Sequence, residues 1–441
     1  MADKAVTYRR VWAIALPVVF SNITVPLQGA VDTAIIGNLG SEVFLAAVTL
    51  GAASISIFLA VFNFLQFGAG ALSAQAIGAG DQRRTINVLI RALILAAGLG
   101  LALILTQTLS IPLLMRFFEG SERAEDLAIV YLQIRIWAAP AELGIFALSG
   151  WFAGQELTRR MFEMQVITSV LNIVLNLIFV LGLEMDVAGV ALGTLIAAWC
   201  GFGFGLWRAR RRMRDMMPDW KPERDRLLNR AELVKLMRLN RDIFVRSILL
   251  VASFSWMTRL GSLQGDVMLA ANGILNQLFH TISYGLDGLA IAAETLVGQA
   301  AGARDRAFLR RAVVVTSVSA LGLSVLMTLA LMALETPLIS LFTNVEAVRQ
   351  AAHQHYVWAG LMPLVAVAAY QLDGVFVGAT RSAEMRNAMV VSAALYLTSS
   401  AWIAGQWGNH GVWAGIWIFM ALRGLTLAVQ YKRLERRAIA T

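Results

Sequence analysis

Long apolar runs alternate with short polar stretches along the whole chain. A helix that spans a bilayer needs about 20 consecutive, mostly apolar residues. By this criterion the runs predict twelve membrane-spanning helices, at residues 11–37, 44–75, 86–117, 125–153, 162–184, 188–208, 242–264, 268–300, 307–335, 347–379, 386–405 and 411–431. Several of these runs are longer than one crossing requires, which indicates tilt or extension into water. The pattern therefore predicts an all-α, polytopic membrane protein.

Basic residues are concentrated in every second loop between the apolar runs. They precede the first run, fill the long loop at 208–241 and follow the last run, whereas the intervening loops are often acidic. Lysine and arginine mark the cytoplasmic ends of membrane helices. The alternation predicts that both termini are cytoplasmic and that the number of spans is even.

Composition agrees with a membrane protein and excludes several other classes. Of the 441 residues, 58% are hydrophobic and 15% are charged, whereas a soluble domain carries roughly 25% charged residues. The net charge of +9 is explained by the cytoplasmic loops, so we predict no nucleic-acid partner. Cys200 is the single cysteine, which excludes an intramolecular disulfide, and no donors stand at metal-ligand spacing. We therefore predict neither a metal site nor a cofactor.

The chain also repeats itself at a fixed offset. The stretch SAQAIGAGDQR (73–83) resembles VGQAAGARDRA (297–307), which pairs Gln75 with Gln299 and Asp81 with Asp305, each 224 residues apart. The same offset relates Gly154 to Gly378. We therefore predict two pseudo-symmetric six-helix lobes, residues 1–208 and 242–441, joined by a basic cytoplasmic linker, residues 209–241. Parallel repeats of this kind are a common plan among transporters, with the substrate held between the halves.

The first predicted span contains an acid and two prolines. Asp32 lies in its outer half, and Gln28 precedes it by one helical turn on the same face. An acid inside a membrane is costly and usually has a function. Pro17 and Pro26 each remove a backbone donor and favour a bend, so this helix could move its acid between two environments.

Polar partners for Asp32 are available on the fifth and sixth spans. Asn172 and Asn176 are one turn apart on an otherwise apolar helix, and Thr194 lies in the next span. Amide and hydroxyl groups can donate to a carboxylate or accept from a carboxylic acid. One hypothesis is a protonation site in the first half; the other is that these asparagines only hold helices together.

A second polar set lies in the spans of the other half. It comprises Arg246, Asn272, Asp287, Glu294 and Asp373. Unpaired charges in lipid are too costly to persist, so this set is expected to neutralise itself locally. It is either a cation site or proton relay, or a fixed ion-pair network, and for Arg246 we favour the fixed network.

Four stretches resemble one transporter family. LPVVFSNITVPLQGAVDTAIIGNLG, AQAIGAGDQR, LDGLAIAAETLVGQAAGARD and LDGVFVGATRSAEMRNAM are similar to the multidrug and toxic compound extrusion (MATE) family, in particular to its DinF-type branch. The resemblance covers essentially the whole chain. It implies two six-helix lobes around a V-shaped cavity, and export of drug-like, often cationic, molecules in exchange for H⁺ or Na⁺.

The resemblance also assigns roles to residues of the first half. It implies that Asp32 is the cation-coupling acid, that Pro17 is the bend point, and that Asn172 and Thr194 belong to the coupling site. Asn176 departs from the family pattern, which often has an aspartate there. The loss of one carboxylate weakens the case for Na⁺ and leaves a single proton acceptor.

For the second half, the resemblance implies that Asp373 matches an acid used for Na⁺ coupling in the NorM-type branch. Arg246 falls near the position where that branch has a glutamate. A built-in cation there argues against bound Na⁺ and for H⁺ coupling through Asp32.

The sequence thus predicts a proton-coupled multidrug antiporter of the bacterial inner membrane, monomeric and not an enzyme. Its partners would be drug-like molecules and membrane lipids, and Asn22, Gln28 and Arg135 are candidate residues of the substrate cavity. Alternatives are a Na⁺-coupled exporter and a flippase for lipid-linked precursors, which usually needs a strongly basic cavity. A membrane enzyme or receptor is disfavoured, because no nucleophile–base pair or phosphate-binding loop is present.

Overall fold

The computed structural model describes residues 5–37, 42–115, 122–227 and 229–440, and in those residues it contains helices and no strand. The helices are α1 (Tyr8–Gly37), α2 (Glu42–Phe62), α3 (Phe64–Gly78), α4 (Gln82–Met115), α5 (Glu122–Arg135), α6 (Ala139–Gly154), α7 (Thr158–Asn176), α8 (Asp186–Met216), α9 (Arg224–Leu227), α10 (Arg230–Ser262), α11 (Asp266–Ala303), α12 (Arg306–Ala333), α13 (Glu335–Phe342), α14 (Glu346–Gly378) and α15 (Ser382–Ala440). A 3₁₀ turn, Ile136–Ala138, joins α5 to α6, and a π-helical segment, Leu177–Gly182, follows α7.

Twelve spans are obtained from these helices, as predicted. Over the described residues, nine helical segments are long and apolar enough to cross a membrane, if α5 and α6 are taken together. The last of them, α15, contains two spans, because Gly408 interrupts it with a φ of 55° and a ψ of −136°, a conformation that favours glycine. The second predicted span corresponds to α2 and α3, and the eighth to α11. The chain is therefore a multi-pass helical membrane protein.

Two predicted spans are broken rather than continuous. The run predicted at 44–75 is divided at Asn63 into α2 and α3. The run predicted at 125–153 is divided after Arg135, because Pro140 cannot donate to the carbonyl of Ile136. The N–H of Ala139 donates to that carbonyl instead, which forms a 3₁₀ turn. By contrast, α1 continues as one helix through Pro17 and Pro26, so bending of this helix stays a prediction.

The 224-residue repeat is also present in the packing of the helices. A Cβ atom on Gly150 would lie 1.9 Å from the carbonyl oxygen of Gln66, and one on Gly374 would lie 2.2 Å from that of Ala290. Both members of the first contact are 224 residues before those of the second. Gly154 against Gly70 and Gly378 against Glu294 form a further such pair of contacts, at 2.4 and 2.3 Å. Only glycine permits these approaches.

The repeated sequence motif folds into the same turn twice. The amide of Asp81 donates to Ala76 O and that of Asp305 donates to Ala300 O, at 2.9 and 3.0 Å. Each aspartate then caps the next helix through its side chain, at 2.8 Å to the amide of Arg84 and 2.9 Å to that of Phe308. An aspartate at this position satisfies an amide that the first helical turn leaves free. The Gln–Gly–Asp spacing thus specifies a helix stop followed by a capped helix start.

The chain divides into two compact units, one of Met1–Val19, Gly78–Gly80 and Met237–Thr441, the other of Phe20–Ile77 and Asp81–Leu236. In the first unit the start of α1 packs on α11, where a Cβ on Gly288 would lie 3.0 Å from Ala15 O. A large apolar cluster around Trp413 and Phe419 forms the main core of this unit. The second unit has clusters around Ile36 and around Trp151. Lobe boundaries at 208 and 242 stay a prediction.

We expect Gly150→Ala to destabilise the protein, because the new methyl group would collide with the Gln66 carbonyl. Overpacking of this kind costs about 1–3 kcal/mol. Gly98→Ala is the matched control, since a Cβ at Gly98 meets nothing within 4 Å and alanine favours helix by about 0.5–1 kcal/mol. Thermal unfolding in detergent should show a lower Tm for the first variant only. An unchanged Tm for Gly150→Ala would contradict the close approach of α6 to α3.

Candidate ion-coupling site

Asp32 on α1 is hydrogen-bonded to Asn176 at the end of α7. The Asn176 amide Nδ2 donates to Asp32 Oδ1 over 2.6 Å. Asp32 is half-buried, whereas Asn176 and Asn172 are fully buried. Asn176 therefore contacts the acid, as expected for the fifth-span asparagines. This polar contact joins α1 to α7 inside the apolar interior of one unit.

The amides behind Asp32 have a defined direction. The Thr194 hydroxyl donates to Val190 O at 2.8 Å, so its oxygen must accept from Asn172 Nδ2, also at 2.8 Å. The Asn172 carbonyl is then left to face Asn176 Nδ2, at 3.4 Å. Because each hydrogen bond fixes the orientation of the next side chain, this series of side chains presents an N–H donor to Asp32. This arrangement stabilises an ionised carboxylate.

Close packing holds the Asn176 amide in place. A Cβ on Gly193 would lie 2.0 Å from Asn176 Oδ1, so α8 leaves room for this side chain only because residue 193 is glycine. The helix changes directly after Asn176 into the π-helical segment Leu177–Gly182. Such segments are rare and occur frequently at functional sites.

Gln28 extends the polar contact between α1 and α7 by one turn. Its Oε1 atom accepts from the Ser169 hydroxyl at 3.2 Å. Ser169 and Asn176 are seven residues apart on α7, and Gln28 and Asp32 are four apart on α1, so each pair shares one helix face. Asn22, the other cavity candidate on α1, is half-buried and lies away from this pair of contacts in the sequence.

Arg135 is a buried cation at the break between α5 and α6. Its Nη2 atom forms an ion pair with Glu142 Oε1 at 2.5 Å. The guanidinium is also close enough to Asp32 to interact with it electrostatically, and the buried phenol of Tyr131 lies beside it. The base that the sequence singles out as a cavity candidate is therefore paired with an acid.

The second half contains one carboxylate between two arginines. Asp373 Oδ2 accepts from Arg246 Nη2 at 2.5 Å and from Arg423 Nη2 at 2.6 Å. Arg423 is only 2% exposed. A carboxylate held by two cations is strongly stabilised in its ionised form, and its coordination leaves little negative charge for a bound ion.

The other predicted members of this network differ in position. Asp287 is half-buried on α11 and interacts electrostatically with Arg246 and Arg423. Glu294 is buried two turns further along the same helix. Asn272 is elsewhere: its amide exchanges hydrogen bonds of 2.6 and 2.9 Å with Asn409 and accepts from Trp413 Nε1 at 2.8 Å. In the described part of the chain, no three His, Cys, Asp or Glu side chains converge as a metal site.

The MatE family model matches the chain twice, at residues 17–178 and 243–403, which is more than half of its length. The chain belongs to the MatE family. It is 39% identical, over 98% of its own length and 92% of the relative's, to DNA damage-inducible protein F of Escherichia coli K12. It is 25% identical to a probable multidrug resistance protein NorM of Xanthomonas campestris, over 99% and 96% of the two chains. Members of this family are transporters and not enzymes.

A solved structure shares the MatE fold. The bent form of the MATE transporter VcmN from Vibrio cholerae has a TM-score of 0.85 at 20% sequence identity, covering 98% of this chain and 97% of that one. This likeness supports the fold alone. The resemblance of the four sequence stretches to the family is confirmed.

Two charged residues that pair with predicted site residues were not themselves predicted from the sequence. Arg423 lies in the apolar run 411–431, and the rule that intramembrane charges need partners would have indicated it. Glu142 follows Arg135 by seven residues, which places both on one face of a regular helix. The seven-residue spacing alone is therefore enough to indicate this pair.

Proposed function

We propose that this MatE protein exports drug-like, often cationic, molecules in exchange for H⁺, and that Asp32 carries the proton. One observation carries the proposal: Asp32 accepts a hydrogen bond from Asn176, in a series of side-chain amides whose orientation is fixed by Thr194. The names of the NorM relatives, which describe probable multidrug resistance proteins, support the class of substrate.

The strength of the hydrogen bond from Asn176 depends on whether Asp32 is ionised or protonated. With Asp32 ionised, the amide donates to a full negative charge, and such charge-assisted bonds are the strong ones. Protonation removes that charge and weakens the tie between α1 and α7. A ligand shifts a conformational equilibrium only through different affinities for the two states. A proton that loosens α1 and a cation that requires ionised Asp32 therefore favour opposite states.

Proton coupling agrees with the groups around both acids better than sodium coupling does. Hard cations such as Na⁺ prefer several oxygen ligands, but Asn176 turns its N–H, not its carbonyl, toward Asp32. At the second-half acid, two guanidinium groups occupy the same oxygen of Asp373. Sodium would have to compete with these donors at either place.

The flippase alternative is less well supported. Lipid-linked pyrophosphates call for a strongly basic cavity, whereas the buried arginine of the first-half site is paired with Glu142. We further propose that the protein lies in the bacterial inner membrane as a monomer, with both termini and the linker 209–241 in the cytoplasm. The basic loops are the support for this orientation.

The proposal is tested with purified protein in liposomes that contain no sodium. An imposed pH gradient is expected to drive exchange of ethidium, a fluorescent aromatic monocation. In a separate preparation at equal pH on both sides, an added sodium gradient is expected not to raise the rate of ethidium exchange. Liposomes without protein are the control. Exchange that requires sodium would contradict proton coupling and direct attention to Asp373, Asp287 and Glu294.

A further inference from the structure

Arg135 has more hydrogen-bonding capacity than its observed partner uses. Its Nη2 atom donates to Glu142 and the Tyr131 phenol lies within interaction distance of the guanidinium, whereas its buried Nε and Nη1 atoms make no hydrogen bond of normal geometry within the described residues. Buried donors without a partner are rare and call for an explanation. The side chain is only 8% exposed, so bulk water is a poor substitute.

In the part of the chain that the structure describes, few charged groups lie around Asp32. Arg135 on α5 interacts with it electrostatically, Tyr131 lies beside that guanidinium, and Glu142 on α6 forms an ion pair with Arg135. The side chains that α7 and α8 contribute are uncharged amides and a hydroxyl, those of Asn172, Asn176 and Thr194. Arg135 is therefore the cation that two acids share.

The two halves differ in how an arginine meets its acid. In the second half, two arginines donate to the same oxygen of Asp373, and Asp287 interacts with both arginines only electrostatically. In the first half, one arginine is bonded to Glu142 and lies within electrostatic range of Asp32. Because its Nε and Nη1 atoms are available, Arg135 can take a second acid while it keeps Glu142, whereas moving a second-half arginine away from Asp373 breaks a buried ion pair, which is strongly destabilising.

We propose that Arg135 is a positioning residue for coupling: it takes the Asp32 carboxylate as a second partner when Asp32 is ionised and returns to Glu142 alone when Asp32 is protonated. This inference rests on the proposed function. The site then carries a net charge of minus one when it is ready for substrate and of zero when it is protonated. The substrate class that this charge fits is a monocation, exchanged for one proton.

The experiment measures ethidium exchange in sodium-free proteoliposomes as a function of pH. Removing the cation in Arg135→Gln should move the pH of half-maximal exchange upward by about one unit or more, because an opposite charge nearby favours an ionised acid. Arg135→Lys should restore most of the shift. Glu142→Gln should move the midpoint downward, since it frees Arg135 for Asp32.

Substrate charge provides a second readout. Propidium is a dication built on the same ring system as ethidium. The Arg135→Gln site would be more negative by one charge, so the ratio of propidium to ethidium exchange should rise severalfold, whereas the wild type should favour ethidium.

The outcomes separate this inference from the proposed function. A slower rate with an unchanged midpoint and an unchanged dye ratio in Arg135→Gln would make Arg135 merely structural and overturn the inference. If that variant does not fold, a midpoint in Glu142→Gln that stays at the wild-type value or rises would overturn it as well. Wild-type exchange that fails without sodium would instead overturn the proposed function itself.

Discussion

Replacing Asp32 with asparagine is expected to reduce exchange driven by a pH gradient to the level of liposomes without protein. The asparagine carbonyl can still accept from Asn176 Nδ2, which donates to Asp32 Oδ1 over 2.6 Å in the wild type, so the helix packing is preserved. The side chain can no longer take up or release a proton, and the two states of α1 are no longer coupled to pH. Transport is measured with ethidium, and Tm is measured on the same preparation.

Asp81→Asn is the matched control for this variant. Asp81 caps α4 through the amide of Arg84, and asparagine caps a helix about as well as aspartate. This variant removes an acid outside the coupling site and should transport like the wild type. If Asp32→Asn also transports like the wild type under a pH gradient, Asp32 is a structural residue and the coupling proposal is wrong.

Removal of the second-half acid should lower the stability of the protein more than Gly150→Ala does. Asp373→Leu removes the carboxylate to which Arg246 and Arg423 donate and leaves them only the electrostatic interaction with Asp287. Breaking a buried ion pair from one side costs about 3–5 kcal/mol. A variant that also carries Arg246→Met, Arg423→Met and Asp287→Leu should recover most of this loss, because an apolar replacement of a whole buried network is often neutral. Thermal unfolding in detergent compares both variants with the wild type.

A different pattern would revise the role of this network. If Asp373→Leu keeps the wild-type Tm but loses transport, the acid does not serve to compensate the two arginines. Asp373 would then be an ion ligand rather than the centre of a fixed ion-pair network, and coupling through the second half would have to be reconsidered.

Much of the fold follows from the sequence because it depends on local patterns. Long apolar runs predict spans, and the repeated spacing from Gln75 to Asp81 predicts equivalent turns in both halves. The structure adds the contacts behind the repeat: Gly150 and Gly374 approach carbonyl groups at positions related by the same offset. Why those glycines are required is visible only once the partner helix is known.

Asp32 and its amide partners were predictable from the sequence, but the direction of their hydrogen bonds was not. The membrane cost of a charge singles out Asp32, and the one-turn spacing singles out Asn172 and Asn176. The direction of the hydrogen bonds between these amides depends on the Thr194 hydroxyl donating to Val190 O. The spacing of the residues does not encode this hydrogen bond. Likewise, no spacing encodes the position of Arg135 relative to Asp32, because the two residues lie on different helices.

The most direct test of exchange for H⁺ measures proton movement together with ethidium movement. A pH-sensitive dye is trapped inside sodium-free proteoliposomes at equal pH on both sides, and ethidium is added outside. We expect ethidium entry through the wild-type protein to release protons from the lumen, so that the internal pH rises, and we expect Asp32→Asn to show neither flux. Ethidium entry through the wild type without a change in internal pH would contradict exchange for H⁺.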